Sequence, residues 1–391
     1  MKKINIALLI ILLLMEISTA IPSFSRQTGF TCHKCHSHHN HPSLTPFGRL
    51  FKANGFVYVN TQVQKLIEEG DLLSIVQNLN PSLIFKLRYF KAEGETGELQ
   101  LPEEGSLYLA GRIAKNGGFL FEFATFGNTE NNEVNLFSSL KVPFIFKPKE
   151  KFVLGVVPYL TDKFGSAFSF EVLNTGAVRN IRIVEFKNET SAQQYIGTDT
   201  PAEGLGVYLY NDLWHVVYSP WIAKHGKVKV KQFSHYFRAV VTPHISHWDI
   251  GTGLQIWSGK SVIEEYNVQE EIKTEAFAFD FQAMGHLDRY PIGVFITYAH
   301  AKGDQHSIFS PGDSDKRALV GLVEIGVIKD VINVGFAYRD AKNENGEDDN
   351  AVTVSFKYIP FRNIELQFDY SKYYNDLLPD NKMVLMFFGA F

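Results

Sequence analysis

From about residue 80 to the last residue, apolar and polar side chains alternate with a period of two. Ile332, Val334, Phe336 and Tyr338 interleave with Asn333, Gly335, Ala337 and Arg339. Val352, Val354, Phe356 and Tyr358 interleave with Thr353, Ser355 and Lys357, and Ile364, Leu366, Phe368 and Tyr370 with Glu365, Gln367 and Asp369. Phe277, Phe279 and Phe281 repeat the pattern around Ala278 and Asp280. Successive side chains of a strand point to opposite faces, so this period means strands with one apolar and one polar face. A soluble sandwich shows the same alternation, and three features favour a membrane barrel. The polar face is charged, as a watery lumen allows, and the apolar face often ends in Tyr or Phe, like an interfacial girdle. The chain closes on the strand residues Met383 to Phe391, and a final aromatic resembles the signal read by the outer-membrane assembly machinery; Gly389 departs from the bulkier residue usual there.

Connections alternate in length, as they do in such barrels. Segments 371–381, 341–350 and 301–316 are long, whereas 360–362 and 329–330 are short. Long segments are then extracellular loops and short ones periplasmic turns, with both ends of the barrel periplasmic. The count runs to 18 strands from a first strand near Ser82; the stretch 165–188 is the least regular hairpin, and without it the count is 16. The expected fold class is all-β: a transmembrane antiparallel β-barrel of 16–18 strands with a small N-terminal haem-binding segment of coil and short helix. An aromatic content of 14%, with 33 Phe and 17 Tyr, suits that reading.

The first residues differ. Lys2 and Lys3, the apolar run Ile6 to Met15 and Ser18-Thr19-Ala20 read as a secretory signal over 1–20. After residue 20 no apolar run reaches the ~18 residues of a membrane helix. The formal net charge of −4 is not the basic footprint of a nucleic-acid binder. The chain is expected in a bacterial outer membrane, in contact with its lipid.

The two cysteines of the chain lie in the run Cys32-His33-Lys34-Cys35-His36. This is the C-x-x-C-H spacing of covalent c-type haem attachment: both thiols add to haem vinyl groups, and His36 follows as the proximal iron ligand. A zinc site would need a second ligand pair and a thioredoxin-like pair a βαβ context, and neither is present; a simple disulfide or metal loop is the alternative. Residues 21–60 thus read as a monohaem mini-domain, 61–80 as a linker or weak amphipathic helix and 81–391 as the barrel. About 40 residues cannot bury a haem unaided. The mini-domain should borrow walls from the barrel and plug its lumen within reach of both faces.

The segment 21–56 resembles the N-terminal signature of the fused outer-membrane cytochrome–porins. The matching residues are Pro22, Phe24, Arg26-Gln27-Thr28-Gly29, Cys32, Cys35 and His36, then Pro42, Leu44, Pro46-Phe47-Gly48-Arg49, Phe51-Lys52 and Asn54-Gly55-Phe56. The barrel is similar only in kind. The departure is Ser37-His38-His39-Asn40-His41, where the family pattern has a shorter, apolar stretch. Some of that family are iron oxidases of neutrophilic and acidophilic iron-oxidising bacteria. The resemblance implies one haem c in or against a barrel, passing electrons across the outer membrane from an extracellular donor, Fe(II) or another reductant, to a periplasmic c-type cytochrome.

Around that haem, Arg26, Arg49 and Lys52 are candidate propionate partners, because arginine forks match carboxylates. His38, His39 and His41 are candidates for a secondary Fe(II) site, imidazole being a good iron ligand. The distal haem position is open. His244 and His247 at a periplasmic turn are the candidates, followed by His215, His235 and Met284; a five-coordinate iron is the alternative. The outer loops carry acidic runs, Glu93, Glu95, Glu98, Glu103 and Glu104, then Glu264, Glu265, Glu270 and Glu271, then Glu344, Glu347, Asp348 and Asp349. An acidic mouth would concentrate cations such as Fe(II) by steering, and ordinary solvated loops are the alternative. No grouping of nucleophile and base stands out, so any enzyme activity would be that of an iron:cytochrome oxidoreductase. A porin-like barrel with a structural or sensory haem plug is the second reading, and a secreted soluble haem-binding β-sandwich the third.

Overall fold

The computed structural model describes residues 23–37, 43–58, 80–127, 137–149, 152–178, 183–265, 268–361, 363–375 and 380–391. The signal reading over 1–20, the linker reading over 61–79 and the candidates His38, His39 and His41 fall outside them, as does the side chain of Arg26.

The alternating segments form the strands β1 (Asn80–Ala92), β2 (Glu98–Ala114), β3 (Gly117–Gly127), β4 (Phe137–Lys141), β5 (Phe144–Lys149), β6 (Phe152–Thr161), β7 (Ala202–Tyr210) and β8 (Trp214–Ile222). After a short β9 (Lys229–Gln232), the wall resumes with β10 (Ser234–Val241), β11 (His244–Ile245) and β12 (Trp248–Ser258). Next come β13 (Lys260–Glu265) and β14 (Val268–Lys273), then β15 (Ala276–Leu287), β16 (Tyr290–Ala301), β17 (Lys316–Ile328), β18 (Ile332–Lys342), β19 (Asn350–Phe361), β20 (Ile364–Tyr374) and β21 (Asn381–Ala390). β9, β13 and β14 make a separate three-stranded sheet in the long loops. The rest is one antiparallel sheet, closed by pairing of β1 with β21 from Ile84↔Ala390 to Ala92↔Lys382. β4 and β5 are two parts of one stave, both paired with β6, and β10 and β11 are likewise both paired with β12. The barrel therefore has 16 staves.

The faces divide as the alternation requires. Phe279, Phe336, Tyr338, Val354, Phe356, Leu366, Phe368, Tyr370 and Leu385 are exposed on the outside, while Asp280, Arg339, Thr353, Ser355, Lys357, Gln367 and Asp369 are buried inside. An apolar outer belt with every backbone ladder closed is the surface of a membrane-spanning barrel. The tight connections lie at the end from which β1 starts and at which β21 finishes. There Ser246, Asp288 and Asp330 adopt positive φ, a conformation that short polar side chains tolerate in turns.

The stretch 165–188, counted as a hairpin in the 18-strand reading, is not part of the wall; this is why the number is 16. Thr161 at the end of β6 and Ala202 at the start of β7 are register partners, and the 162–201 connection folds into the lumen. It includes a short helix over Ala192–Tyr195. Its acids are held by cations of distant staves. Glu171 forms an ion pair with Arg238, 2.6 Å from its Nε; Glu185 accepts from Lys86 at 2.7 Å, and Glu189 from Arg339 at 2.9 Å and from the Tyr373 hydroxyl at 2.9 Å. Thr175 donates to Asp280, which itself pairs with Arg238. Phe170, Leu173, Ile183, Val184 and Ile196 of the same connection are buried. Among the described residues, this part of the lumen is packed by the connection.

Arg238 is fully buried between Glu171 and Asp280. Removing one member of such a group strands the others as unpaired buried charges, at a cost of about 3–5 kcal/mol. Arg238→Met is expected to lower the urea midpoint of the barrel in lipid vesicles. Adding Glu171→Gln and Asp280→Asn should recover much of the loss; an unchanged midpoint in the single variant would show that the pairing is not structural.

Candidate functional site

The N-terminal segment forms the helices α1 (Ser23–Thr28), α2 (Cys32–Cys35) and α3 (Pro46–Ala53); α4 (Ala192–Tyr195) belongs to the inward connection. The Thr45-Pro46 pair sets the start of α3. Pro46 has no N–H to leave unsatisfied, and the Thr45 hydroxyl caps by accepting from the Gly48 amide at 3.1 Å. Thr45 also ties α3 to the cysteine loop, its hydroxyl donating to the Lys34 carbonyl at 2.7 Å and its amide to the Cys35 carbonyl at 2.9 Å. Leu44 bridges to His36, fixing the backbone of the residue that follows the second cysteine. Gly48 is required at this crossing, because a Cβ there would overlap the Cys35 carbonyl oxygen.

This unit sits inside the barrel end that carries the short turns. Phe24 packs on Phe51 and Phe56 with ring centroids 5.2 and 4.9 Å apart, and Phe30 on Phe47 at 5.4 Å. Arg49, buried, makes a two-pronged pair with Asp249 at the start of β12, at 2.6 and 2.7 Å. Tyr208 of β7 donates to the Ala53 carbonyl at 2.6 Å, and Ser23 meets Ser82 of β1 at 3.0 Å. Lys52 donates to the Glu171 carbonyl of the inward connection, and burial lowers its amine to about 8. The plug and the inward connection are thus packed against each other as well as against the wall.

Between plug and wall lies a cavity of about 330 Å³. Phe24, Phe30, Cys32, Cys35 and His36 face it from the plug. Ile84 of β1, Tyr108 and Ala110 of β2, Leu120 of β3, and Phe388 and Ala390 of β21 face it from the barrel, at the seam where the first and last strands close. The lining is apolar apart from the thiols, the imidazole, the Tyr108 phenol and a few hydroxyls such as Ser25 and Thr28. The two cysteines are not joined to each other. Burial, then the neighbouring Cys32, pushes the Cys35 thiol up. A raised thiol is the opposite of what a disulfide-exchange catalyst needs.

The structure brings Cys32, Cys35 and His36 onto one rim and leaves the other candidates elsewhere. Arg49 does not line the cavity; its fork is taken by Asp249, so it anchors the plug rather than awaiting an anion. His244 and His247 are exposed at the turn after β10, with His247 against His286 at 4.6 Å between centroids, and neither lines the cavity. His215 is buried against Phe170 and Tyr210, His235 stands outside the barrel beside Tyr218, and Met284 packs with Ile183 and Phe295. Among the described residues, no three His, Cys, Asp or Glu side chains are grouped to hold a metal ion. Tyr108 and Phe388, which sequence reasoning missed, are inward positions of alternating strands; only the barrel's closure reveals that they meet the cysteine loop.

The acidic mouth is also corrected. Glu103 and Glu104 belong to β2 and face Lys86 at 2.6 and 3.7 Å. Glu264 is held by Lys229 and Lys231, Glu271 by Lys260, Glu344 by Lys316, Asp348 by Lys342 and Asp349 by Arg339. Most of these acids lie against a cation, some sharing one, which weakens the long-range field that steering needs. The cavity also lies nearer one face than expected. From Ile84 to the far end of β1 there are eight residues, roughly 26 Å of strand at ~3.3 Å each.

No family model matches the chain, and no curated protein matches it in sequence. Solved structures match in fold. OmpTdeltaL8, a loop L8 deletion mutant of the outer membrane protein OmpT of Vibrio cholerae, aligns with a TM-score of 0.50 at 10% identity, over 80% of this chain and 99% of that one. The anion-selective porin from Comamonas acidovorans aligns with a TM-score of 0.50 at 12% identity, also over 80% and 99%. At such identities the likeness is one of fold. Together with the closed 16-stave wall and its apolar belt, it defines the class: a porin-like β-barrel of the outer membrane.

Arg49→Ala would leave Asp249 as an unpaired buried carboxylate and loosen the plug by about 3 kcal/mol or more. Limited proteolysis should then cut within residues 23–58 faster than in the parent protein, while the barrel stays folded. Adding Asp249→Asn should slow the cutting again; equal rates in all three would mean that the pair does not hold the plug.

Proposed function

We propose that this barrel is an outer-membrane electron conduit whose plug carries one covalent haem c. The observation that supports the reading is the shared rim: both thiols and the following imidazole face one apolar cavity, and the barrel supplies its far wall. Each thiol would add across one haem vinyl group, sulfur to one carbon and hydrogen to the other, leaving two thioethers. His36 would then offer a ring nitrogen to the iron as proximal ligand. The bound haem supplies a centre that takes up and releases one electron at a time. The aromatic and aliphatic lining would exclude water from it, and Thr45 and Gly48 would hold the attachment loop in place through the contacts with Lys34 and Cys35.

The donor in this reading is extracellular Fe(II), by the resemblance of residues 21–56 to the cytochrome–porins, and the acceptor a periplasmic c-type cytochrome. The 162–201 connection, tied inside the barrel through Glu171, Glu185 and Glu189, narrows the path for solutes, which is the reason to set the conduit reading ahead of a passive porin with a structural or sensory haem. The paired acids of the outer loops provide no field that singles out Fe(II), so a donor other than iron suits the same geometry.

Two measurements test the proposal. Cys35→Ala is expected to lose covalent haem, read as a haem stain on a denaturing gel, while still assembling as a barrel. The purified protein with its haem oxidised, mixed anaerobically with Fe(II), should give the reduced haem spectrum. No reduction anywhere between acid and neutral pH would remove iron as the donor, and absence of covalent haem in the parent protein would remove the haem itself.

A further inference from the structure

We propose that Arg112 is the propionate-binding residue of this lumen, an inference that rests on the haem reading above. Arg112 lies on β2 two residues beyond Ala110, on the inner face it shares with Tyr108 and Ala110, and both of those line the cavity. A step of two strand residues is roughly 7 Å, a span that an arginine stem bridges. Only 4% of Arg112 is exposed. Its Nε donates to the Ala114 carbonyl at 2.7 Å, and Nη1 is buried with no hydrogen-bond partner.

The other buried arginines set the contrast. Among the described residues, Arg49 holds Asp249, Arg238 holds Glu171 and Asp280, and Arg339 holds Glu189 and Asp349. Among the described residues, Arg112 is the buried arginine with no carboxylate against it. Its cross-strand neighbour is Gly118, which presents no side chain. A buried guanidinium without an anion is costly, and a low-dielectric lumen that neutralises the other buried arginines among the described residues gives reason to look for the missing charge. The required ligand is a planar carboxylate, which a guanidinium grips with two parallel N–H groups. A haem attached at Cys32 and Cys35 carries two such carboxylates into the same space. Arg112 would then fill the role that sequence reasoning gave to Arg49, whose fork Asp249 occupies.

A cation at a propionate keeps it ionised and favours the reduced haem, because the added electron is stabilised by positive charge. Arg112→Gln is therefore expected to lower the haem midpoint potential and to move the redox-linked propionate titration up toward neutral pH. Arg112→Lys should keep much of the parent potential. Arg289→Gln, which removes the same charge from an exposed periplasmic turn, serves as the control and should leave potential and pH dependence unchanged. In the parent protein, the low-frequency resonance Raman bands of the propionates should shift between H2O and D2O, a measurement that needs no variant. The haem content of the parent is read first: its absence overturns the haem reading. Covalent haem whose propionate bands ignore D2O, or whose potential is unmoved in Arg112→Gln, overturns the role of Arg112 and leaves the haem reading standing.

Discussion

Charge neutralisation inside a closed wall governs this barrel. The closed wall turns every second residue inward, and many of those are ionised. Each buried charge must then find a partner or go unpaid by several kcal/mol. The partners come from chain that folds into the lumen. Arg238, Lys86 and Arg339, on staves far apart around the ring, each accept an acid from the single connection 162–201. That connection could not pack as it does in a neutral lumen, and the wall could not close around those cations without it.

The N-terminal plug obeys the same constraint with a smaller set of contacts. One two-pronged pair, Arg49 with Asp249, and one caught carbonyl, Lys52 on Glu171, join it to the wall and to the inward connection. Aromatic packing of Phe24, Phe51 and Phe56 supplies the rest. Because the plug is pinned near β7 and β12, its other side is left facing β1, β2, β3 and β21 across a cavity. The cysteine loop therefore opens toward the seam of the barrel. Its pocket is a joint product of two parts of the chain, neither of which could form it alone.

The wall was legible because its rule is local. Period-two alternation at Ile332–Arg339 or Val352–Tyr358 depends only on which face a residue takes, and the tight turns at 329–330 and 360–362 were visible between such runs. The stretch 165–188 obeys no such rule. Phe168, Phe170 and Val172 alternate much as strand residues do, and only the partners of Glu171, Glu185 and Glu189, scattered over the ring, draw that chain inward. The same limit explains the site. Cys32, Cys35 and His36 are adjacent in sequence and carry their own signal. Arg49 was recognised as a fork seeking a carboxylate, but the carboxylate is 200 positions away on β12. Arg112 left a faint trace, an arginine at an inward strand position opposite a glycine, meaningful only once the register of β2 and β3 is known.

These constraints bear on how an electron could enter. A porin of similar fold can leave its lumen open because its ligands must pass through it. Here the inward connection and the plug both enter the lumen, and one hydrophobic cluster joins Ala53 of the plug to Phe170, Tyr236 and Phe309 in the loop after β16. Nothing the size of a hydrated ion needs to travel along such a path for charge to do so. If a haem occupies the cavity, the packed lumen is what separates it from an outside donor, and its density then matters as much as the identity of the donor. Under the conduit proposal, the roughly 26 Å of strand between the cavity and the far end of β1 is then the distance over which the wall and the inward connection would have to bring an outside donor to the haem.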